Sequence, residues 1–306
     1  MNNTLGIDTS NYTTSAALFQ NGEIRQEKML LPVKQGELGL RQSDAVFHHV
    51  QQLPVLLEAL LSDRQPIAAV GASSRPRDLE GSYMPCFTVG LGTAKAISRA
   101  LGVPMVTFSH QAGHIAAALY SAGKLSLLQE RFIAFHVSGG TTEAVLVTPD
   151  EKSVLRTELL ARSLDLKGGQ AVDLGAMLGL SFPAGKELER LAQQTNIRYK
   201  IQPSLKGAEC SRSGIENKCR DMLQKGKPRE EIASYCLQAI LAALDAMAEE
   251  LLKQYGELPL LFAGGVMSNG MIRKALTGKY GACFAEPAFS ADNAAGIAVL
   301  TSIKGE

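Results

Sequence analysis

Two stretches of the chain share one pattern of apolar and polar positions, at an offset of 128 residues. Residues 5–19 read LGIDTSNYTTSAALF and residues 133–147 read IAFHVSGGTTEAVLV, and the two align without gaps. Each copy predicts a strand, a tight turn and a second strand, and each is followed by a second turn and a third strand. Both halves of the chain are therefore predicted to begin with a β-meander.

Apolar segments with helical spacing follow each meander. Repeated units of three strands and helices predict two related α/β domains that face each other across a cleft. Chance similarity between two small-residue hairpins is the alternative. We expect an N-terminal domain over residues 1–108 and a C-terminal domain over residues 109–306. The second should include a helical insertion at about 186–230, and the last helix should pack back on the N-terminal half.

Composition and charge exclude several classes of protein. Of 306 residues, 45% are hydrophobic and 20% are charged. The net charge is only +1, so the overall electrostatic field does not favour binding to nucleic acid or to a membrane surface. Five cysteines without a Cys-x-x-Cys motif indicate reduced thiols in a cytosolic protein. No signal peptide opens the chain, and no apolar stretch approaches the length that spans a bilayer. We therefore expect a soluble cytoplasmic protein.

Glycine-rich turns provide the first candidate chemistry. In SGGTTE, residues 138–143, the glycines can expose successive backbone N–H groups and the hydroxyls add donors, which suits a phosphate. A third glycine site, LPLLFAGGVMSNG over residues 258–270, predicts a strand that runs into Gly264 and Gly265 before a helix near Met271. Asn269 is either a ribose or base contact or a simple helix cap.

Two histidines in FSHQAGHIAAAL are spaced by four residues. On a helix, His110 and His114 lie on one face about a turn apart, which lets both imidazoles reach one metal ion. The same spacing also occurs in ordinary surface and core positions.

His48 and His49, in the amphipathic segment FHHVQQLPVLLEALL, are instead interpreted as helix-surface residues.

Two further residues complete a possible ligand set. His136 lies on the strand just before SGG, and Asp292 lies at the start of the last helix, where its alternative role is an N-cap. Three imidazoles and one carboxylate are sufficient to bind Fe, Zn or Mn. Their separation in the sequence leaves open whether they meet in space.

Several motifs, in order along nearly the whole chain, resemble those of the TsaD family (YgjD or Gcp, with Kae-type members in archaea and eukaryotes). SHQAGHIAAAL is similar to the His-x-x-x-His helix of that family, and HVSGGTTEAVLV to its serine–glycine–glycine hairpin. DLKGGQAVDLGAMLGLSFPAG and CSRSGIENK resemble the two segments that follow. FAGGVMSN and FSADNAAGIAVL match its GGV-x-x-N and final Asp-Asn helix.

The resemblance implies an actin/hexokinase-like (ASKHA) fold, an α/β duplication with a central interdomain cleft. The implied reaction is metal-dependent transfer of a threonylcarbamoyl group from threonylcarbamoyl-AMP to N6 of the adenosine beside the tRNA anticodon. One divalent metal is implied, iron before zinc or manganese, with an adenylate or ATP/AMP-type nucleotide in the cleft. TsaB- and TsaE-type proteins are implied as partners.

The same resemblance assigns residues to these ligands. By position the metal ligands are His110, His114, His136 and Asp292. The substrate and nucleotide contacts are Ser138, Gly139, Gly140, Thr141, Asp173, Gly185, Gly264, Gly265 and Asn269. No catalytic residue distinct from these ligands is implied.

The chain also departs from the family pattern. The hairpin reads SGGTTE where the family usually has SGGHTQ, and the opening acidic ETSCDDT is DTSNYTTS. Glu216 stands where the family has the lysine of FSFSGLKT, and the Pro-Gly-Gly turn is Pro-Ala-Gly. These changes affect the segments expected to act in acyl transfer and acceptor binding more than the expected metal ligands.

One local concentration of positive charge favours RNA binding. Residues 198–229 contain nine Lys or Arg and three acids, a net of +6, in a chain whose total is +1. Such a patch would suit a phosphate backbone, and a solvated helix and loop is the alternative. The candidate tRNA-binding residues within it are Lys206, Arg212, Lys218 and Arg220.

Two other functions remain open at this point. A carbamoyltransferase that uses a carbamoyl-adenylate on a small molecule would have the same fold without needing the basic patch. A non-catalytic TsaB-like partner would have no need of the four candidate ligands. A His-Glu-x-x-His peptidase is disfavoured because Gln111 stands where the glutamate would be.

Overall fold

The structure, a computed structural model, describes residues 3–32, 40–63, 65–138, 142–164, 175, 177–180, 184–211, 213–290 and 294–305. The chain divides into two compact units. Unit 1 comprises Met1–Glu130, Thr148–Thr157 and Ala288–Glu306, and unit 2 comprises Arg131–Val147 and Glu158–Pro287.

The sheet of unit 1 is a meander extended by two parallel strands. Its strands are β1 (Thr4–Thr9), β2 (Thr13–Gln20), β3 (Glu23–Leu30), β4 (Ala69–Arg75) and β5 (Met105–Ser109), in the order β3-β2-β1-β4-β5. Strand β1 is central and buried along its whole length. The β2–β3 turn has Asn21 and Gly22 at φ of 53° and 85°, the left-handed conformations that a tight hairpin requires.

The second five-stranded sheet repeats this order. Its strands are β6 (Phe132–Val137), β7 (Thr142–Asp150), β8 (Val154–Arg162), β11 (Leu260–Ala263) and β12 (Cys283–Phe284), in the order β12-β11-β6-β7-β8. A separate hairpin is formed by β9 (Ser204–Lys206) and β10 (Glu209–Ser211).

The predicted duplication is confirmed down to the strand register. Leu5 pairs with Leu18 in unit 1, and Ile133 pairs with Leu146 in the second sheet. Both members of the second pair lie 128 positions after those of the first, the offset found in the sequence. In each sheet the first strand of the meander also pairs in parallel with the next strand of that sheet, β4 for β1 and β11 for β6.

Among the described residues, unit 1 contains the helices α1 (Gln42–Leu60), α2 (Phe87–Leu101), α3 (His110–Ser121) and α8 (Ala295–Gly305). Helix α8 approaches β1 and α3 closely because glycines remove side chains from the contacts. A Cβ on Gly6 would lie 2.4 Å from the backbone nitrogen of Ala298, and one on Gly296 would lie 1.8 Å from the carbonyl oxygen of Gly113. The last helix therefore packs within the N-terminal unit.

Unit 2 holds α4 (Gly185–Ala192), α5 (Ser213–Gln224), α6 (Arg229–Tyr255) and α7 (Gly270–Tyr280). Its sheet contributes a stack of three aromatic rings to the core. The ring of Phe262 stacks on Phe135 at a centroid distance of 4.6 Å and on Phe284 at 5.2 Å. The described chain also has 3-10 turns at Leu125–Gln129, Gly265–Ser268 and Pro287–Phe289.

Helix α6 corrects the expectation that no apolar stretch is long enough to cross a membrane. The helix has 27 residues, and an 18-residue window within it has a mean hydropathy of 1.3, so it is long and apolar enough to cross a membrane by length and composition. However, 61% of the tested window is buried within the protein, and Ile232, Leu244 and Met247 lie in the core of unit 2. Burial of this kind is typical of the central helix of a folded domain.

The unit boundary differs from the expected division at residue 108. Unit 1 continues to Glu130 because α3 packs against α8, β4 and β5, and the 3-10 turn Leu125–Gln129 packs against α3. Residues 288–306 also belong to unit 1, so its chain is discontinuous. Residues near 186–230 form α4, the β9–β10 hairpin and α5 within unit 2.

Candidate active site

The N-terminus of α3 places the histidine pair. Ser109 ends β5 and caps the helix, since its Oγ accepts a hydrogen bond from the backbone N–H of Ala112 at 3.1 Å. The same hydroxyl donates to Oδ2 of Asp78 at 3.0 Å, and Asp78 is held by Arg75 at 2.6 Å. The cap fixes the first turn of α3, which begins at His110.

The two histidines are in direct contact. Nε2 of His110 and Nε2 of His114 are 2.9 Å apart, with their rings at 75° to each other. Nδ1 of His110 lies 2.8 Å from Oδ2 of Asp8 on β1. Because a carboxylate only accepts, Nδ1 of His110 carries the hydrogen, and in the neutral ring its Nε2 presents a lone pair toward His114.

Asp8 is a functional candidate that the motif search did not identify. Its side chain is 1% exposed, and its second oxygen, Oδ1, has no hydrogen-bond partner in the part of the chain that the structure describes. A signal for it was present in the sequence, because the offset of 128 places Asp8 over His136. The repeat therefore puts an ionisable side chain at the same position of both central strands.

The thiol of Cys86, near Asp8, is not reactive at neutral pH. Burial, followed by the negative charge of Asp8, raises the pKa of Cys86 to about 11, so this thiol is protonated at neutral pH. The neighbouring Phe87 ring lies 5.9 Å from the ring of His110. Within the described residues, the five cysteines form no disulfide bond.

The turn of the first hairpin is held by a histidine expected on the helix surface. That expectation for His49 is wrong: its side chain is 0% exposed. Its Nε2 donates to the carbonyl oxygen of Ser10 at 2.8 Å, and its Nδ1 lies 2.8 Å from Oγ1 of Thr14. Burial is the largest cause that lowers its pKa. His49 thus ties α1 to the turn that follows Asp8.

Asp292 lies outside the described residues, but the helix after it is placed. Gly296, in the first turn of α8, lies against Gly113, and Gly113 directly precedes His114. Asp292 precedes Gly296 by four residues in the sequence. The segment that carries Asp292 therefore leads into a helix that packs on the histidine-bearing turn of α3.

His136 belongs to unit 2, whereas His110 and His114 belong to unit 1. It lies on β6, opposite Glu143 of β7 in the strand register. Ser138 follows the end of β6 and is partly buried. The remaining candidates of this hairpin and of the next motif lie outside the described residues: Gly139, Gly140, Thr141 and Asp173.

The third glycine site has the predicted strand, glycine and helix order. Gly264 has a φ of 105°, and a Cβ there would lie 2.3 Å from the carbonyl oxygen of Val137, so only glycine fits. Asn269 caps α7, since its Oδ1 accepts from the backbone N–H of Ile272 at 3.0 Å. Gly265 starts the 3-10 turn and Gly185 is the first residue of α4. The capping role for Asn269 is therefore observed.

The described residues contain a pair of candidate metal ligands rather than a complete set. Among them, no three His, Cys, Asp or Glu side chains form a group that could hold an ion. The pair itself fits a divalent metal. Imidazole nitrogens bind such ions at about 2.0–2.1 Å, so two nitrogens that are 2.9 Å apart can reach one ion. Asp8 occupies the position behind His110 that carboxylates commonly hold behind metal-binding histidines.

The basic region is split by its ion pairs. On α5, Arg220 pairs with Glu216 at 2.6 Å, and Lys218 pairs with Asp221 at 3.4 Å. Lys206 is exposed on β9, and Arg212 lies outside the described residues. Lys218 and Arg220 on α5 are therefore each paired with an acid of the same helix.

Comparison with known proteins identifies the family. Residues 33–299 match the sequence model of TsaD, described as tRNA N6-adenosine threonylcarbamoyltransferase. A protein of that name from Thermus thermophilus is 31% identical, with 88% of this chain and 82% of that protein covered. Another from Chlorobium phaeovibrioides is 30% identical, with 98% and 93% covered.

A solved structure supports the fold. The (R)-2-hydroxyglutaryl-CoA dehydratase component A of Acidaminococcus fermentans covers 100% of both chains with a TM-score of 0.58 at 15% identity. This likeness concerns the fold alone, which is actin/hexokinase-like (ASKHA), in agreement with the duplicated sheets. The predicted fold class is confirmed. With the match over most of its length, the chain belongs to the TsaD family of tRNA N6-adenosine threonylcarbamoyltransferases.

Proposed function

We propose that this protein transfers a threonylcarbamoyl group from threonylcarbamoyl-AMP to N6 of the adenosine beside the tRNA anticodon. The family match over residues 33–299 supports this reaction. The single structural observation that carries the proposal is the contact of His110 with His114 and Asp8, at 2.9 Å and 2.8 Å. A non-catalytic partner would have no use for two adjacent, partly buried imidazoles of which one is held by a buried carboxylate.

We propose that His110 and His114 hold one divalent metal, iron before zinc or manganese, together with His136 and Asp292. When bound, the ion would supply Lewis-acid stabilisation of negative charge on the carbamoyl-phosphate oxygens of the adenylate. Asp8 keeps the hydrogen of His110 on Nδ1, so that Nε2 keeps the lone pair that would coordinate the metal. The unpartnered Oδ1 of Asp8 also favours positive charge nearby, because a buried carboxylate oxygen without a partner is unfavourable.

The adenylate is proposed to bind the glycine-rich turns. The cradle for its phosphate would be formed by Ser138, Gly139, Gly140 and Thr141. The ribose and base would contact Asp173, Gly185, Gly264, Gly265 and Asn269. The cap on α7 uses Oδ1 of Asn269, so a ribose contact would use its Nδ2.

The transfer itself needs no covalent intermediate on the enzyme. The N6 amine of the acceptor adenosine attacks the carbamoyl carbon, the bond from that carbon to the phosphate oxygen breaks, and AMP leaves. The N6 proton is released to solvent. Positioning of the two substrates and electrostatic stabilisation of the developing charge are the contributions of the protein. TsaB- and TsaE-type proteins are the proposed partners, and the cytoplasm is the expected location.

A transfer assay tests this function. The protein, with TsaB- and TsaE-type partners, receives threonylcarbamoyl-AMP and unmodified tRNA, and the nucleosides are analysed by mass spectrometry. We expect threonylcarbamoyladenosine with the wild type and a loss of at least about 100-fold with His114→Gln. Bound metal is measured on the same samples by elemental analysis, and His48→Gln on α1 is the matched control.

Each outcome separates the candidate functions. AMP release without modified tRNA would refute the tRNA acceptor and indicate a small molecule in its place. Neither AMP release nor product, with no metal bound, would indicate a TsaB-like partner protein. Full activity of His114→Gln would refute the role of the histidine pair.

A further inference from the structure

The segment that leads into the β9–β10 hairpin alternates in exposure residue by residue. From 198 to 206, the even-numbered residues are exposed and the odd-numbered ones are partly buried. This alternation is typical of an extended chain that lies on a protein surface. The inward side is apolar and consists of Tyr199, Ile201, Pro203 and Leu205. The outward side is polar and consists of Arg198, Lys200, Gln202, Ser204 and Lys206.

A glutamine of the core helix holds the start of this segment. The side-chain amide of Gln238 on α6 accepts from the backbone N–H of Tyr199 at 3.0 Å and donates to the carbonyl oxygen of Ile197 at 2.8 Å. Arg198 lies between these two bonded residues and is exposed. The ring of Tyr199 packs edge-on against Tyr235 of the same helix at 5.2 Å.

The other end is held by strand pairing. Lys206 and Ser204 pair with Glu209 and Ser211 in the β9–β10 register. Pro203, just before β9, favours an extended backbone. Held at both ends, the nine residues span about 26 Å if fully extended. The outward side chains are therefore presented in one row.

The cations of this row are not neutralised, in contrast to those of α5. The segment contains three cations and no acid, and none of the three has an ion pair within the described chain. Glu209, opposite Lys206, lies 3.8 Å from Nε of Arg162 instead. On α5, Lys218 pairs with Asp221 and Arg220 pairs with Glu216, and Lys225, directly after α5, also pairs with Asp221.

We propose that residues 198–206 form a cationic ribbon that binds the phosphate backbone of RNA. The proposal rests on the proposed tRNA acceptor and identifies which part of the basic region contacts it. Arg198, Lys200 and Lys206 bind phosphates, and Gln202 and Ser204 donate hydrogen bonds between them. Exposed unpaired cations release counterions from RNA on binding, whereas cations already paired with carboxylates gain little. The paired residues of α5 are thus secondary.

The salt dependence of RNA binding tests the ribbon. Binding of unmodified tRNA to the protein, alone and with its TsaB- and TsaE-type partners, is measured by fluorescence anisotropy from 50 to 300 mM KCl. In the triple variant Arg198→Gln, Lys200→Gln, Lys206→Gln, we expect the log–log slope to become shallower by about 2–3. Affinity at low salt should fall about 10-fold or more. All three positions are exposed, so the fold is retained and is checked by circular dichroism.

A matched variant removes the same formal charge from α5 and the residue directly after it: Lys218→Gln, Arg220→Gln, Lys225→Gln. Its slope should change by less than about 1 unit. An unchanged slope in the ribbon variant, or an equal loss in both variants, would overturn the ribbon while leaving the transfer reaction intact. If the ribbon variant has the shallower slope but the wild type transfers nothing to tRNA, the proposed function is refuted and the ribbon is retained. A wild type that binds no RNA would refute both.

Discussion

Substitution of Gly296 by alanine should disrupt the contact that brings α8 against α3. A Cβ at this position would lie 1.8 Å from the carbonyl oxygen of Gly113 and 2.7 Å from the backbone nitrogen of Ala117. Both neighbours are backbone atoms and cannot rotate away. The two helices would have to separate by about 1.2 Å to bring the shorter distance to 3.0 Å, and interiors packed at crystal density resist such a shift.

The cost follows from the rigidity of the neighbours. Overpacking a core costs about 1–3 kcal/mol, and a backbone-to-backbone clash belongs at the upper end, about 3 kcal/mol. For a unit of this size, that corresponds to a fall of about 6–12 °C in Tm. Because Gly113 adjoins His114, bound metal should decrease as well.

Two further glycines provide a graded comparison. A Cβ on Gly113 would lie 2.9 Å from the flexible Cδ1 of Ile297, so Gly113→Ala should cost about 1 kcal/mol. A Cβ on Gly92 of α2 would meet nothing within 4 Å, so Gly92→Ala should stabilise by about 0.4–1 kcal/mol. Stability is measured by urea denaturation with circular dichroism. Equal midpoints for Gly296→Ala and Gly92→Ala would refute the reasoning, and if Gly296→Ala does not fold, the order of the other two still tests it.

Three further predictions concern the site and the core. Asp8→Asn removes the charge behind His110 and should weaken metal binding at least about 10-fold by elemental analysis and titration, and unchanged affinity would contradict its orienting role. The pKa of Cys86 is raised from 9.0 to about 11, so unfolding releases a proton between these values. The free energy of unfolding should then fall by about 1.4 kcal/mol per pH unit in this window, a slope that Cys86→Ala removes in denaturation at pH 8 and 10.5. Phe262→Ala, which removes the middle ring of the stack with Phe135 and Phe284, should cost about 3–5 kcal/mol in denaturant unfolding, and a loss below 1 kcal/mol would contradict the central role of the stack.

The repeated meanders were predictable because their information is local. Alternating apolar positions and turn residues such as Asn21-Gly22 specify strands and hairpins over short distances. The offset of 128 residues then predicted the register of both sheets, which the structure repeats pair by pair. The helical face shared by His110 and His114 also followed from spacing alone, and their Nε2 atoms are in contact.

Long-range contacts were not predictable in the same way. Asp8 and His110 are 102 positions apart, and no local pattern indicates that β1 would present its carboxylate to the start of α3. His49 looked like a surface residue of an amphipathic helix and is instead buried against the Ser10 turn. The charges of residues 198–229 could be counted, but their division into a paired helix and an unpaired ribbon depends on geometry.

The sequence alone determined the duplicated strands, the histidine spacing and the membership of the family, because each is encoded by residues close together or by motifs in order. Only the tertiary structure decided which carboxylate orients His110 and which cations remain unpaired. These features arise from packing between distant segments. There, the absence of a single Cβ at Gly6 or Gly296 sets how closely the backbones approach.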